Sequence, residues 1–158
     1  MRELEKEKIL CGNGAAELFF AVVMAVRPKK ALVTAPAFSE YERALGTVGA
    51  EVQYYRLKEE QDFRIQEDIL EQITEDTDMI FLCNPNNPTG TVVDKEYMRE
   101  LIEHNPQVCF VIDQSYEYFT LCPLFFVGRG GGVSECTVVT LHDEKVCDSR
   151  LAAWICDR

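Results

Sequence analysis

Residues 79–90 read MIFLCNPNNPTG, and this stretch decides the fold class. The first five residues form a short and fully apolar run, which is typical of a strand buried on both faces of a parallel sheet. Asparagine, proline and glycine follow at once, and these residue types favour a rigid turn. The stretch therefore predicts a buried strand that ends in a polar turn carrying several side-chain amides.

Six further apolar runs rich in strand-forming residues lie on either side of this strand, with helical patterns between them. They are KILC near residue 10, KALVTA near 32, AEVQYYRL near 54, QVCFVID near 111, TVVTL near 139 and AAWIC near 154. Alternation of short strands with helices predicts an α/β fold with a mainly parallel sheet.

The segments between the strands carry helix signals. Ser39 followed by Glu42 predicts a capping box, and Asp94 is placed to cap a helix with one apolar stripe. Residues 14–26 are apolar nearly all round, so we expect a core helix that lies against the sheet and under other structure. The glycine-rich residues 121–135 lack periodicity and predict a long loop.

Composition excludes several classes of protein. The 158 residues are 47% hydrophobic and 27% charged, which is the balance of a globular domain rather than a disordered chain. The net charge of −11 disfavours binding to nucleic acid or to anionic membranes. The start MRELEKEK has no apolar core typical of a signal peptide, and no apolar run is long enough to span a bilayer, so we expect a cytoplasmic protein.

The seven cysteines do not predict a metal site. No two of them form a CxxC pair, and the chain has only two histidines that could assist as imidazole ligands. Several of the cysteines lie inside apolar runs, where cysteine usually packs as a small hydrophobic residue. We therefore expect reduced thiols and no bound metal.

Ligands of an open parallel sheet bind beyond the carboxyl ends of its strands, so the residues that follow each strand are the candidates for function. Gly14 lies in a small-residue turn that could hold a phosphate at a helix start or simply pack closely. Phe38 could stack on a flat ligand or belong to the core. Asp113 ends a buried strand and needs a polar partner. Lys145 follows a strand-like run and could face the site or the solvent.

Four motifs taken in order, GNGAAEL, PAFSEYERAL, NPNNPTG and DQSY, resemble the cofactor-binding domain of the fold-type I pyridoxal-phosphate enzymes. These are the class I and II aminotransferases, and the group of histidinol-phosphate aminotransferase and threonine-phosphate decarboxylase is the most similar. The resemblance implies a three-layer α/β/α fold around a mainly parallel, seven-stranded sheet. It also implies that residues 1–158 form the cofactor-binding large domain, without the N-terminal arm and the C-terminal small domain of the family.

The resemblance gives the turn and the aromatic residue their roles. Gly14, Ala15 and Ala16 match the family's phosphate cradle, in which backbone N–H groups at a helix start bind the phosphate. Phe38 matches the aromatic residue that stacks on the pyridine ring.

By the same resemblance, three polar residues would contact the cofactor ring. Asn87 and Tyr116 match the residues that bind the ring hydroxyl, and Asp113 matches the aspartate that pairs with the protonated ring nitrogen. A carboxylate at that nitrogen keeps the ring charged, so that it can accept electrons from the substrate.

The family also uses a lysine that binds the cofactor as a Schiff base and transfers protons, and Lys145 is the candidate for this catalytic role. Arg150 is the candidate for the family's phosphate-binding arginine. The neighbourhood departs from the family pattern, because Glu144 stands where the family has serine or threonine next to the lysine. A carboxylate about 4 Å from a phosphate would cost on the order of 4 kcal/mol per unit charge.

The resemblance implies a homodimeric aminotransferase that acts on a small amino-acid substrate. Two alternatives share the fold, namely a decarboxylase of a phosphorylated amino acid and a truncated, non-catalytic remnant. A nucleotide-binding module of the Rossmann type is a weaker hypothesis, because Glu17 occupies the place of its third glycine.

Overall fold

The computed structural model describes residues 9–116, 137–142 and 151–155. Its strands and helices follow the order β1 (Ile9–Gly12), α1 (Ala15–Val26), β2 (Lys30–Ala35), α2 (Glu40–Gly46), β3 (Glu51–Arg56), α3 (Ile69–Gln72), β4 (Met79–Cys83), α4 (Lys95–His104), β5 (Cys109–Asp113), β6 (Thr137–His142) and β7 (Leu151–Ile155). A short 3₁₀ helix, Glu59–Gln61, follows β3. All seven predicted strands are therefore confirmed, each within two residues of its apolar run.

The strands form a single sheet in the order β1-β7-β6-β5-β4-β2-β3. Neighbours from β6 to β3 pair in parallel, whereas β7 runs antiparallel to both β6 and β1. The predicted mainly parallel sheet is confirmed. Because β1 and β6 both oppose β7, β1 runs in the same direction as the other strands.

The two faces of the sheet carry separate cores, because successive side chains of a strand point to opposite faces. On β4, Met79, Phe81 and Cys83 pack with α1 and α2 in the first layer, whereas Ile80 and Leu82 pack with α3 and α4 in the second layer. All five side chains are buried. Full burial of an apolar side chain is worth about 1.5–3 kcal/mol, so these two layers supply much of the stabilisation of the fold. The predicted three-layer architecture is confirmed.

The two predicted helix caps differ. The Asp94 carboxylate accepts hydrogen bonds from the N–H groups of Glu96 and Tyr97, at 2.9 Å and 3.2 Å, so this cap is confirmed. The capping box at Ser39 is wrong, because the Ser39 side chain makes no capping hydrogen bond. Ser39 itself has helical backbone angles, whereas a capping residue normally has an extended backbone.

Helix α1 packs on the sheet through one face only. Leu18, Phe19, Val22 and Val23 are buried, as the prediction of a core helix requires. The expectation that the helix also lies under other structure is wrong, because its last turn exposes apolar side chains such as that of Met24, which is 57% exposed.

The predicted loop over residues 121–135 lies outside the described residues. Within the described residues, no helix is long and apolar enough to cross a membrane.

Candidate functional site

The carboxyl ends of the parallel strands meet at one edge of the sheet. Cys83, the last residue of β4, pairs with Asp113, the last residue of β5, and the Asn84 N–H group donates a hydrogen bond of 2.8 Å to the Asp113 carbonyl oxygen. The turn after β1 opens at the same edge, because β1 runs parallel to these strands. Parallel pairing thus collects the candidate residues that the sequence places after separate strands.

The Asp113 carboxylate is the most deeply buried charge at this edge, with 4% of the residue exposed. The Tyr41 hydroxyl group donates to its Oδ2 atom at 2.5 Å. The Ser115 hydroxyl group and N–H group donate to its Oδ1 atom at 2.5 Å and 2.9 Å. Within residues 9–116, no lysine or arginine forms an ion pair with it. An ionised carboxylate has about four acceptor positions, so these three donors leave one position open.

Tyr41 reaches Asp113 from helix α2 through the first layer of the core. Its ring is fully buried, stacks on Phe81 at a centroid distance of 4.9 Å, and meets the edge of Phe19 at 4.9 Å. Burial, together with the nearby Asp113 charge, raises the pKa of the Tyr41 hydroxyl group far above its usual range. The hydroxyl group therefore stays protonated and acts as a hydrogen-bond donor.

Phe38 lies at the outer end of the same aromatic cluster. Its ring contacts Phe19 and Tyr41 edge-on, with centroid distances of 6.3 Å and 5.9 Å, and 36% of the residue is exposed. Phe38 is thus anchored by the core and still has surface available at the site edge. The core contacts of Phe38 are thus observed, and its stacking on a flat ligand stays a prediction.

The turn after β4 is held by its own amide side chains. Asn84 Oδ1 accepts a hydrogen bond of 2.9 Å from the Val93 N–H group. Asn86 Nδ2 donates to the Pro36 carbonyl oxygen at 3.1 Å and to Thr89 Oγ1 at 2.8 Å. The bond to Pro36 ties the turn after β4 to the turn after β2, which carries Phe38.

Two amide side chains of this turn, those of Asn86 and Asn87, keep hydrogen-bonding groups that have no partner in the described part of the chain. Asn86 Oδ1 is buried and has no hydrogen-bond partner among the residues that the structure describes. Asn87 is half-buried, and within that same part of the chain its side chain makes no hydrogen bond. Buried polar atoms are nearly always paired, so the unpaired Asn86 Oδ1 is an exception, whereas the half-buried Asn87 amide is still accessible to another group.

Gly14 places the start of helix α1 at the same edge. Its φ of 86° is a conformation that glycine adopts without strain. A Cβ atom on Gly14 would meet nothing within 4 Å, so open space lies next to the first turn of the helix. The Glu17 carboxylate accepts a hydrogen bond from the Asn13 N–H group and so caps part of this turn from within.

The structure links two of the predicted site residues, Asp113 and Phe38, through contacts with Tyr41. Asp113 contacts Tyr41, Tyr41 contacts Phe38, and both aromatic rings contact Phe19 of α1, the helix that Ala15 and Ala16 begin. Tyr116 lies in the turn after β5 and is 37% exposed. Lys145 and Arg150 lie outside the described residues, and their predicted roles stay predictions.

Sequence reasoning missed two residues of the site, Tyr41 and Ser115. Tyr41 lies three residues after Phe38, which puts both residues on one side of a helical turn. Ser115 lies two residues after Asp113, the spacing at which an aspartate accepts hydrogen bonds from its own turn. Both signals were present in the sequence, but neither identifies a site without the fold.

Cys83 lies beside Asp113 but is not a reactive group. Its Sγ atom donates to the Pro85 carbonyl oxygen at 3.1 Å. Burial, and next to it the Asp113 charge, raises the pKa of the thiol to about 12. Since nucleophilic chemistry needs the thiolate, Cys83 is a neutral packing residue at neutral pH.

Comparison with known proteins defines the class to which this site belongs. The family "Aminotransferase class I and II" matches residues 1–141, and the chain belongs to that family. Enzymes of the family depend on pyridoxal phosphate. The resemblance found in the four motifs is thus confirmed over most of the chain.

Two curated relatives show which members of the family the chain is similar to. The chain is 34% identical over 110 residues to threonine-phosphate decarboxylase of Salmonella typhimurium, covering 68% of this chain and 30% of that protein. It is 34% identical over 119 residues to histidinol-phosphate aminotransferase of Rubrobacter xylanophilus, covering 74% and 34%. The chain thus spans about a third of the length of these curated relatives.

A solved structure has the same fold. L-threonine-O-3-phosphate decarboxylase from Porphyromonas gingivalis superposes with a TM-score of 0.76 at 28% identity, covering 98% of this chain and 46% of that one. The three-layer architecture of the chain is therefore that of a known member of the same group.

The described residues fit pyridoxal phosphate. Asp113 offers one open acceptor position, and Phe38, which contacts the same Tyr41, offers a partly exposed aromatic ring. Asn87 offers an amide without a protein partner among the described residues, and open space lies beside Gly14 at a helix start. A flat, cationic ring with a hydroxyl group and a phosphate needs these four kinds of contact.

Proposed function

We propose that this chain is the cofactor-binding part of a pyridoxal-phosphate-dependent aminotransferase and that it binds the cofactor at the carboxyl edge of its sheet. The observation that carries the proposal is the buried Asp113 carboxylate, which has three neutral donors and no basic partner within residues 9–116. A buried charge of this kind is costly unless a cation meets it, and the protonated ring nitrogen is such a cation.

The ring would lie between Phe38 and the end of the sheet. Phe38 would stack on its face, Asp113 would accept a hydrogen bond from the ring nitrogen, and Asn87 and Tyr116 would bind the ring hydroxyl. Tyr41 and Ser115 hold the Asp113 carboxylate in place by hydrogen bonds of 2.5 Å from their hydroxyl groups. When bound, the cofactor supplies an electron sink for chemistry at an amino acid.

The phosphate would bind at the start of α1. The N–H groups of Ala15 and Ala16 belong to the first turn of the helix and are thus not needed by the helix itself. The positive end of the helix dipole favours an anion there. Arg150 would add a charge-assisted contact, and Lys145 would be the catalytic lysine. Glu144 would have to turn its carboxylate away from the phosphate.

The proposed protein is a cytoplasmic homodimer that acts on a small amino-acid substrate. The exposed apolar side chains of Met24 and Val26 at the end of α1 support association with a second surface. Sedimentation of the purified chain is expected to give a dimer at tens of micromolar, an ordinary concentration for weak association. A folded monomer under these conditions would remove homodimerisation from the proposal.

A second candidate function is decarboxylation of a phosphorylated amino acid. It is favoured by similarity to threonine-phosphate decarboxylase, both in sequence and in a solved structure. Histidinol-phosphate aminotransferases are similar to the chain to the same degree, so the two reactions share the proposed cofactor site. With L-threonine phosphate, a decarboxylase would release carbon dioxide. With histidinol phosphate and a keto acid as amino acceptor, an aminotransferase would form a keto product and convert the acceptor to its amino acid.

The test of the proposed function is direct binding of the cofactor. The chain is titrated with pyridoxal phosphate, the visible absorbance is recorded, and borohydride fixes any bound cofactor on its lysine. Mass spectrometry is expected to find one adduct per chain, on Lys145. The matched control is Lys145→Arg, which keeps the charge and should lose the adduct.

The labelling pattern distinguishes a working cofactor site from a non-catalytic remnant of the family. Labelling at Lys145 that pyridoxine phosphate, an analogue without the aldehyde, competes away would support the proposal. Absent labelling, or labelling scattered over surface lysines, would contradict it and favour a non-catalytic remnant of the family.

A further inference from the structure

Asn13 is followed by Gly14, and of the five asparagines in the chain it is the only one that precedes a glycine. Three of the others precede proline, which has no backbone N–H group, and Asn86, which is buried, precedes Asn87. An asparagine loses its amide when the backbone nitrogen of the next residue attacks the side-chain carbonyl carbon, and this attack needs an accessible N–H group. Asn13 therefore differs in reactivity from the other asparagines.

The turn after β1 leaves both reacting groups accessible. Asn13 is exposed, and within residues 9–116 its side-chain amide makes no hydrogen bond. Over the same range no acceptor meets the N–H group of Gly14, which is the N-cap residue of α1. A Cβ atom on Gly14 would meet nothing within 4 Å, so open space lies beside the attacking nitrogen. The Glu17 carboxylate accepts a hydrogen bond from the Asn13 N–H group, which fixes the backbone of Asn13 but not its side chain.

The reaction needs water but no oxidant or reductant. The Gly14 nitrogen forms a bond to Cγ of Asn13, the bond from Cγ to the amide nitrogen breaks, and the proton of the Gly14 nitrogen leaves with that amide as ammonia. Water then opens the resulting succinimide at either of its two carbonyl carbons. One opening gives aspartate, and the other gives isoaspartate, in which the main chain runs through the side-chain carbonyl. Direct hydrolysis of the amide gives aspartate only, so isoaspartate is the mark of the cyclic route.

We propose that Asn13 is a modification site, whose spontaneous deamidation adds a negative charge to the turn before α1 and weakens phosphate binding there. The effect on phosphate rests on the proposed function, whereas the deamidation does not. Both products carry a carboxylate, and this charge repels a phosphate at the start of the helix. Isoaspartate also lengthens the main chain ahead of Gly14 and so displaces the N–H groups of Ala15 and Ala16.

A phosphate bound at this turn should slow the reaction. Attack by the Gly14 nitrogen passes through a negatively charged intermediate, in which charge builds up on the oxygen atom of the Asn13 side chain. A phosphate beside the turn disfavours this additional negative charge. The cofactor thus protects a residue next to its own site, and the chain without cofactor ages at Asn13.

The test is peptide mapping of the purified chain after several days at neutral pH in a phosphate-free buffer, with and without pyridoxal phosphate. Trypsin cleavage after Lys8 and Lys29 gives a peptide in which Asn13 is the single asparagine and glutamine is absent, so a change from amide to acid is assigned to that residue. Without cofactor the peptide is expected to acquire isoaspartate, detected by fragmentation in the mass spectrometer, and with cofactor it should acquire less. The other four asparagines are the internal control and should keep their amides.

Two variants separate the added charge from the loss of the asparagine. Asn13→Asp adds the charge without lengthening the main chain, and the dissociation constant of pyridoxal phosphate, measured by absorbance titration, should rise roughly tenfold. Asn13→Gln is the matched control, because it keeps an amide but would have to close a larger ring, which is much slower. It should bind the cofactor as the unsubstituted chain does and acquire no isoaspartate. Thermal melting checks that both variants fold.

The results distinguish failure of this proposal from failure of the proposed function. Absence of isoaspartate at position 13, or equal deamidation of the other asparagines, would overturn the modification site. An unchanged affinity for pyridoxal phosphate, in the aged chain and in Asn13→Asp alike, would overturn its effect on the phosphate. If the fresh chain binds no pyridoxal phosphate, the proposed function fails together with that effect, and the peptide map still decides whether Asn13 is modified.

Discussion

The two layers of the core each contain a tyrosine whose hydroxyl group donates to an aspartate, and the two pairs differ in the burial of the carboxylate. In the first layer Tyr41 donates to Asp113, which is 4% exposed. In the second layer Tyr55 donates to Asp68, which is exposed to solvent. Water can solvate the charge of Asp68, whereas the buried Asp113 carboxylate depends on the donors that surround it.

The difference shows that hydrogen-bond chemistry alone does not define a functional site. Tyr55 closes a surface loop, since its oxygen atom also accepts a hydrogen bond from the Gln66 N–H group. Tyr41 instead supports a charge at the edge where the parallel strands end. The position of the carboxylate relative to the sheet, rather than the pair itself, separates a structural contact from a proposed cofactor contact.

The largest expected effect is a loss of stability when a buried phenylalanine is removed from either layer of the core. Phe81 and Phe110 are both fully buried, one in each layer. Phe81→Ala and Phe110→Ala are each expected to lower the free energy of unfolding by about 3–5 kcal/mol, measured by urea denaturation. Only Phe81→Ala should also weaken binding of pyridoxal phosphate, because Tyr41 stacks on Phe81. Equal weakening by both variants would mean that the layers do not differ in function.

The second prediction exchanges each aspartate for its uncharged isostere. Asp113→Asn removes the charge that would meet the ring nitrogen, and a hydrogen bond to a charged group is worth about 1.5–3 kcal/mol. The dissociation constant of pyridoxal phosphate, measured by absorbance titration, should therefore rise roughly 10- to 150-fold. Asp68→Asn is the control and should leave it unchanged. An unaltered affinity in Asp113→Asn would contradict the assigned role of Asp113.

The third prediction concerns alkaline pH. The pKa of Tyr41 is raised far above its usual range and that of Tyr55 to about 12, first by burial and then by their hydrogen-bonded or charged aspartates. An unfolded tyrosine loses its proton near pH 10, whereas the folded state keeps it. The unfolded state then binds fewer protons, so the free energy of unfolding falls as the pH rises above about 10.

The size of this fall follows from proton linkage. Each buried tyrosine that stays protonated contributes a slope of about 1.4 kcal/mol per pH unit. Urea denaturation between pH 10 and 11 should show a flatter pH dependence in Tyr41→Phe than in the unsubstituted protein. Tyr55→Phe should flatten the profile only up to the pKa of Tyr55, about 12. A slope that is the same in all three proteins would show that Tyr41 titrates normally.

The smallest expected effect concerns the residues at the N-terminal ends of α4, in the second layer, and α2, in the first layer. Asp94 caps α4 in the second layer, so Asp94→Ala should cost about 1 kcal/mol of stability. Ser39 precedes α2 in the first layer and makes no capping hydrogen bond, so Ser39→Ala should cost much less. Thermal melting of the two variants checks this order. A larger loss of stability in Ser39→Ala would mean that Ser39 caps α2 after all.

The elements that could be predicted are those with a local signal. The apolar run Met79–Cys83 is too short for a buried helix and is followed by turn residues, so β4 and its polar turn follow from the sequence. Asp94 was predictable as a cap for the same reason, since its partners are two and three residues away. Ser39 has the same kind of signal, but its backbone is itself helical and its side chain makes no capping hydrogen bond.

The candidate site was predictable only as a set of separate residues. Asp113, Asn87 and Phe38 were found because each follows a strand and matches a family motif. Their mutual contacts were not, because the hydrogen bond from Tyr41 to Asp113 spans 72 residues of sequence. No local pattern encodes such a contact.

The sequence by itself determined the alternation of strands and helices, the polar turn after β4 and the family of the chain, since these depend on residue types at short range. Only the tertiary structure decided the order β1-β7-β6-β5-β4-β2-β3, the burial of Asp113 and its support by Tyr41. Parallel pairing brings the ends of distant strands to one edge, and side-chain alternation turns Asp113 towards the layer that contains α2. Both effects exist only once the whole sheet has formed.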